Sequence, residues 1–264
     1  MTSNFIDIDY TLWDNKSKWW VIDKKNPGKY ICRIPNSEVE LITSGFYKND
    51  NLPINYNGIE GFISKELLSK LHKYKKIKSE DAGLSDREYK NDKLIKKQLH
   101  NFIEYSKNTN IFNNTGDYYL ITKRGNKNAH KQLLNDTKNN IDIDISEEYF
   151  VSDNSNITNV GTIIERKLFI FLQHLIGYTI NNNEFEPLII KQYDELNYYT
   201  DTNIIDEYKN INYTLKKLLD NCPMFLKNKI ESKIKLSNIN FNIYVLTSNE
   251  LNPFEKETIT ITVD

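Results

Sequence analysis

Glycine, proline, cysteine and histidine are all scarce here: 9 Gly, 6 Pro, 2 Cys and 4 His in 264 residues. The two cysteines, Cys32 and Cys222, form no CxxC and no disulfide framework, and they read as small core residues. The histidines, His72, His100, His130 and His174, make no HExxH and no ligand cluster, so zinc is not expected. Net charge is lacking as well. Lys+Arg 35 against Asp+Glu 36 leaves −1, so no global field draws the chain to nucleic acid or membrane. No run approaches eighteen apolar residues, and Met1-Thr2-Ser3-Asn4 has neither a basic nor an apolar leader. The expectation is a soluble cytoplasmic protein with no membrane partner and no obligate protein partner.

What the chain does have is asparagine, lysine, isoleucine and tyrosine. Its hydrophobic fraction is 39%, enough for a real core despite the polar loops. Runs such as Asn113-Asn114, Asn139-Asn140 and Asn181-Asn182-Asn183 read as loops.

The order of apolar segments suggests strands alternating with helices. Phe5-Ile6 reads as a strand, as do Tyr30 to Pro35 and Val39 to Ile42. Ser64 precedes a helix carrying Leu67, Leu68 and Leu71 on one face. Ser85-Asp86-Arg87-Glu88 fits a capping box opening a helix through Leu94, Ile95, Leu99, Phe102 and Ile103. Tyr118 to Ile121 is a strand, followed by a helix through Leu133 and Leu134, and Tyr149 to Val151 is a short strand. Ile163 to Ile176 is an apolar helix closed by Gly177. Pro187 to Tyr193 reads as a strand ending on Asp194-Glu195. A helix through Leu215, Leu218 and Leu219, a strand at Ile243 to Leu246 and an edge strand at Thr258 to Val263 complete the chain. This rhythm predicts an α/β fold with a mostly parallel central sheet.

The chemistry concentrates in Phe5-Ile6-Asp7-Ile8-Asp9-Tyr10-Thr11-Leu12. Two carboxylates two residues apart at a strand's C-terminal end sit where open α/β sheets hold their ligands. Acids this close repel unless a cation or proton intervenes. One can attack phosphorus while the other handles the proton, both beside a hard cation such as Mg²⁺. A strand followed by an Asp/Thr turn or helix cap gives the same pattern without chemistry.

Asp7-Ile8-Asp9-Tyr10-Thr11 after its hydrophobic strand resembles the DxDxT motif of the haloacid dehalogenase superfamily, mostly phosphatases. Three later segments are similar to that superfamily's other motifs. Tyr118 to Thr122 resembles the strand ending in a phosphate-binding hydroxyl, and Thr122-Lys123-Arg124 the T-G-R variant, with Lys123 in place of Gly. Thr122 could equally cap the next helix. Lys167 resembles the lysine that neutralises the phosphoryl group, with Arg166 the neighbouring alternative. Asp194 and Glu195 resemble the second acidic pair, with Asp201 as the fallback.

The resemblance implies a haloacid dehalogenase-like (Rossmannoid) three-layer sandwich over residues 1–205. Residues 15–112 would be an insert and lead-in helix, and 206–264 a C-terminal α+β extension. It implies a Mg²⁺-dependent phosphohydrolase working through an aspartyl-phosphate. Asp7 would be the nucleophile, Asp9 the acid/base and Lys167 the third catalytic residue. Thr122, Lys123 and Arg124 would bind phosphate, and Asp7, Asp9, Asp194 and Glu195 would hold the metal. The partner would be a phosphorylated small molecule or a nucleic-acid end. The second choice is similar to end-repair phosphatase domains in its Tyr193-Asp194-Glu195; the run Lys73-Tyr74-Lys75-Lys76-Ile77-Lys78 and Trp19-Trp20 agree with it, though charge runs usually solvate a face and tandem aromatics usually pack in a core. Tyr10 stands where relatives carry Gly, which leaves a second reading open, a non-catalytic binding protein with a narrowed pocket.

Overall fold

Strand and helix alternate because apolar residues switch between a period of two and a period of nearly four along the chain. A computed structural model describes residues 2–14, 18–26, 30–43, 45–50, 52–56, 59–75, 78, 81–84, 93–95, 99–100, 103–104, 116–124, 127–141, 143–151, 163–181, 184–187, 195–201, 208–247 and 253–263. The chain divides into two compact units, Met1–Trp13 with Leu94–Asp264, and Asp14–Lys93. The second unit is shorter than the 15–112 insert expected.

In chain order, β1 (Thr2–Asp7) leads to β2 (Trp13–Asp14), where the chain leaves the first unit. The second unit holds β3 (Lys18–Asp23), β4 (Tyr30–Pro35), α1 (Asn36–Thr43), β5 (Pro53–Tyr56), β6 (Ile59–Phe62), α2 (Lys65–Lys75) and β7 (Ala82–Leu84). Its sheet runs β4-β3-β7-β5-β6. Val39 to Ile42, expected as a strand, lies in α1 instead: Val39 and Ile42 are buried three residues apart on one helical face. Trp19 is buried in this unit's core, whereas the Trp20 ring lies tilted against Tyr30 at 4.9 Å and under the Arg33 guanidinium at 4.2 Å. Lys73 and Lys78 are exposed; the side chains of Tyr74, Lys75 and Lys76 lie outside the described residues, as does the capping box at Ser85.

The chain returns through β8 (Lys93–Leu94). The first unit continues with β9 (Asp117–Thr122), α3 (Lys131–Asn140), β10 (Ile145–Phe150), α4 (Ile163–Ile176), β11 (Tyr178–Asn181), β12 (Glu184–Pro187) and β13 (Glu195–Thr200). It closes with α5 (Ile211–Asp220), α6 (Met224–Ser237), β14 (Asn240–Leu246) and β15 (Phe254–Thr260). Its central sheet has the order β10-β9-β1-β13-β14-β15. Five strands are parallel, and β15 alone runs antiparallel along β14. From β1 the order steps outward one way to β9 and β10, then the other way to β13 and β14. The switch point therefore falls between β1 and β13, and its crevice opens at the strands' C-terminal ends.

One sheet face packs on α4, α5 and α6. Phe5, Ile121, Tyr198 and Ile243 share a cluster with Phe171, Leu215 and Ile230. The long apolar run of α4 is a helix buried on nearly every side, stopped where Gly177 takes φ 72 and its N–H bonds the Gln173 carbonyl. The opposite face carries an in-register row of amides. Asn197 Nδ2 donates to Asn4 Oδ1 and Asn242 Nδ2 to Asn197 Oδ1, both at 2.9 Å, and Thr258 Oγ1 donates to Asn242 Oδ1 at 2.8 Å. Residues 206–264, expected as an extension, supply β14 and β15 to this same sheet. α6 was not foreseen: it lacks a capping side chain, though Leu226, Ile230 and Ile234 are buried four apart along it.

Candidate active site

Asp7 ends β1, and a tight loop follows. Ile8 N–H donates to Asp7 Oδ1 at 2.9 Å, and the Leu12 and Trp13 N–H groups return to the Ile8 carbonyl at 3.1 and 3.0 Å. The loop turns at Tyr10, whose φ of 60 lies in the left-handed region that glycine occupies most easily. Tyr10 donates its N–H to the Trp13 carbonyl at 2.8 Å, so its backbone does what the expected Gly would do. Thr11 is buried, and its hydroxyl has no hydrogen-bond partner among the described residues.

Asp7 is 8% exposed. Its Oδ2 accepts from Lys167 Nζ at 2.6 Å and from the Tyr198 hydroxyl at 2.9 Å. Lys167, in the second turn of α4, also donates to Tyr198 Oη at 2.9 Å, and Tyr208 donates to the same oxygen at 3.2 Å. Burial works against the Lys167 ammonium, but the Asp7 carboxylate outweighs it and the pKa is raised.

Asp9 is held by a different set. Arg124 Nη2 donates to Asp9 Oδ1 at 2.7 Å and Arg124 Nε to Oδ2 at 3.1 Å, a bidentate fork. Thr122 Oγ1 donates to Asp9 Oδ2 at 3.2 Å and itself accepts the Arg124 N–H at 3.2 Å. The Arg124 Nη1 also lies 3.4 Å from His130 Nδ1. Thr122 and Arg124, expected to bind phosphate, thus have side chains turned onto Asp9. Lys123 is exposed.

The structure departs most from expectation at the second acidic pair. Asp194 lies outside the described residues. Glu195 begins β13 rather than following a strand, and pairs in register with Thr2 at the far end of β1 from Asp7. Its carboxylate accepts from Thr2 Oγ1 at 3.3 Å and Asn242 Nδ2 at 2.6 Å. Five residues at roughly 3.3 Å each separate Thr2 from Asp7, so Glu195 does not reach the site. The misplacement comes from Leu188-Ile189-Ile190, whose apolar run outshone the Asn and Tyr residues of the strand that enters the sheet.

The acid at the C-terminal end of β13 is Asp201. Its pKa is pushed up to about 7, by burial first and then by the charges of Asp7 and Asp9. Lys167 pairs with Asp7 and Arg124 with Asp9; no lysine or arginine among the described residues is in ion-pair contact with Asp201. That excess acid, facing Asp7, is a hard oxygen donor set suited to Mg²⁺. Among the described residues no three His, Cys, Asp or Glu side chains are already gathered as a ligand set, and the Asp9 carboxylate is occupied by Arg124. The pair that fits a cation is Asp7 with Asp201. Tyr198, Tyr208 and His130 had no signal in the sequence: each sits among polar or charged neighbours and matches no motif.

The class defined by this fold and site is a doubly wound α/β protein with three acids and two buried cations at the switch point. No protein-family model, curated protein or solved structure matches the chain.

Proposed function

We propose that the chain is a Mg²⁺-dependent phosphohydrolase of haloacid dehalogenase type, cleaving a phosphomonoester (a nucleotide, a nucleic-acid end or a small metabolite) through an aspartyl-phosphate. The observation that carries this reading is the pairing of Asp7 with Lys167 of α4 beside Asp201, the two acids at the C-terminal ends of neighbouring strands. An Asp7 oxygen attacks phosphorus while the bond to the leaving oxygen breaks. Water then attacks the phosphorus of the acyl phosphate, releasing phosphate and restoring the carboxylate. Lys167, donating to Asp7, is placed to neutralise phosphoryl charge. Asp9 supplies the leaving-group proton and later takes one from water, exchanging one of its bonds to Arg124 or Thr122 to do so. Arg124 and Thr122 orient Asp9, and Lys123 stands at the rim. When bound, Mg²⁺ held by Asp7 and Asp201 offsets their repulsion and draws charge from the phosphoryl oxygens.

A second reading, a binding protein without turnover, is favoured by one observation: both Asp7 and Asp9 are already neutralised by the chain's own cations. Turnover of p-nitrophenyl phosphate with and without Mg²⁺ separates the two. Asp7→Asn should abolish that turnover, a loss of several orders of magnitude, since no other group replaces covalent attack. Asp7→Asn retaining more than about a tenth of wild-type activity rules out the nucleophile.

A further inference from the structure

We propose that Tyr198, backed by Tyr208, is a positioning residue that distinguishes the two oxygens of Asp7 and sets the Lys167 ammonium against one of them; this rests on the phosphohydrolase reading. A phenol has a single proton to give. Tyr198 gives it to Asp7 Oδ2 at 2.9 Å, so its oxygen can only accept from Lys167 and Tyr208, as their 2.9 and 3.2 Å contacts require. The direction of the chain is fixed: Tyr208 to Tyr198 to Asp7, with Lys167 donating to both of the last two.

The result is an asymmetric carboxylate. Oδ2 is anchored by an ammonium and a phenol, and Oδ1 by the Ile8 backbone N–H. Rotating the carboxylate about Cβ–Cγ would give up both Oδ2 bonds, so the group stays fixed, and Oδ1, with the one backbone N–H on it, is the oxygen more open to a reacting phosphorus. Tyr198 is itself held rigidly. It is fully buried, its ring lies 5.0 Å from Phe171 and 5.1 Å from Tyr208, and Lys167 Nζ sits 5.3 Å from its centroid. A phenylalanine would keep this packing and lose only the oxygen. The hydroxyl therefore contributes more than volume. Such support is what holds a reacting group within a few tenths of an ångström of its productive place.

The test compares Tyr198→Phe and Tyr208→Phe with Tyr244→Phe, which alters the opposite sheet face. Each is assayed with p-nitrophenyl phosphate at saturating Mg²⁺, beside wild type and Asp7→Asn. Tyr198→Phe should lower kcat by about 10–100-fold, with KM within about two-fold. Tyr208→Phe should lower kcat in the same way by less, and Tyr244→Phe should leave both kcat and KM unchanged. Tyr198→Phe with unchanged kcat overturns the inference while leaving the nucleophile intact. A raised KM at constant kcat also overturns it, by making Tyr198 a substrate contact. Wild type without turnover overturns the phosphohydrolase reading and this role with it. Should Tyr198→Phe not fold, an unaffected Tyr208→Phe is enough to overturn the proposal.

Discussion

Arg124→Ala is the perturbation that probes the site's structural cost most directly. Arg124 is 4% exposed and Asp9 6%, so their pairing is sheltered from solvent and little screened by salt. Truncating the arginine removes both limbs of the fork on Asp9 and the contact with His130. It leaves a buried carboxylate that keeps the Thr122 hydroxyl and loses the Arg124 charge. Breaking a buried ion pair from one side costs about 3–5 kcal/mol, because the remaining charge stays desolvated. At about 2–4 °C per kcal/mol for a chain of this size, melting should fall by roughly 6–20 °C. Asp9→Asn should cost less than Arg124→Ala, since an amide keeps one acceptor for the fork. The double variant should be less destabilised than the sum of the singles, by at least about 1 kcal/mol. Urea unfolding of the four proteins measures all of this. Additive losses, or Arg124→Ala within about 1 kcal/mol of wild type, would refute the claim that the two charges depend on each other.

The metal assignment is tested by titrating activity with Mg²⁺: Asp201→Asn should raise the concentration for half-maximal rate, and Glu195→Ala should leave it unchanged. A shift from Glu195→Ala alone would return the metal to the pair read from sequence. His174 is buried between Phe5 and Tyr119, with Nε2 2.7 Å from the Tyr149 hydroxyl, and burial lowers its pKa to about 3. Its unfolded value is about 6.5, so between the two the unfolded chain holds a proton that the folded one refuses. Stability is therefore intact above about pH 6.5 and falls as pH drops toward 3, by at most about 1.4 kcal/mol per unit from this group. His174→Gln should flatten that dependence in urea melts at pH 4 to 7; an unchanged slope counts against it. At Tyr10, with φ 60, Gly should be tolerated within about 1 kcal/mol, whereas Val should cost roughly 1–2 kcal/mol more, because a β-branched side chain suits that backbone least. Equal stabilities of the two variants would show that the loop relaxes.

The sequence made the parallel sheet, α4 and the site's first acid legible for a common reason: each carries a strong apolar period next to a stop signal. Phe5-Ile6 ends on Asp7, Tyr118 to Ile121 ends on Thr122, and Leu168 to Leu175 ends at Gly177. What was hidden has its apolar character diluted. β13 reads Glu-Leu-Asn-Tyr-Tyr-Thr, and Asn197 and Tyr198 are buried polar residues whose partners come from elsewhere in the chain: Asn4 and Asn242 for the first, Asp7, Lys167 and Tyr208 for the second. Asp201 was legible only as the fallback to Asp194 and Glu195, since its proximity to Asp7 is a product of register and not of spacing. Arg124 was found by its neighbourhood to Thr122, but that its fork closes on Asp9 depends on the turn at Tyr10. Side-chain direction after a turn of that kind is invisible to periodicity.

The row of amides from Asn4 through Asn197 to Asn242 and Thr258 has a consequence for how the molecule assembles. β1, β13 and β14 come from opposite ends of the chain and must find each other late, when many apolar alignments compete. Sliding one strand by a single residue would turn its asparagine into the cluster of Phe5, Tyr198 and Phe171 and strand its partners' amides. Greasy contacts alone would tolerate such a slip far better. The row acts as a proofreading step: near-miss pairings are rejected, and the register that survives is the one that brings Asp7 and Asp201 level at the rim.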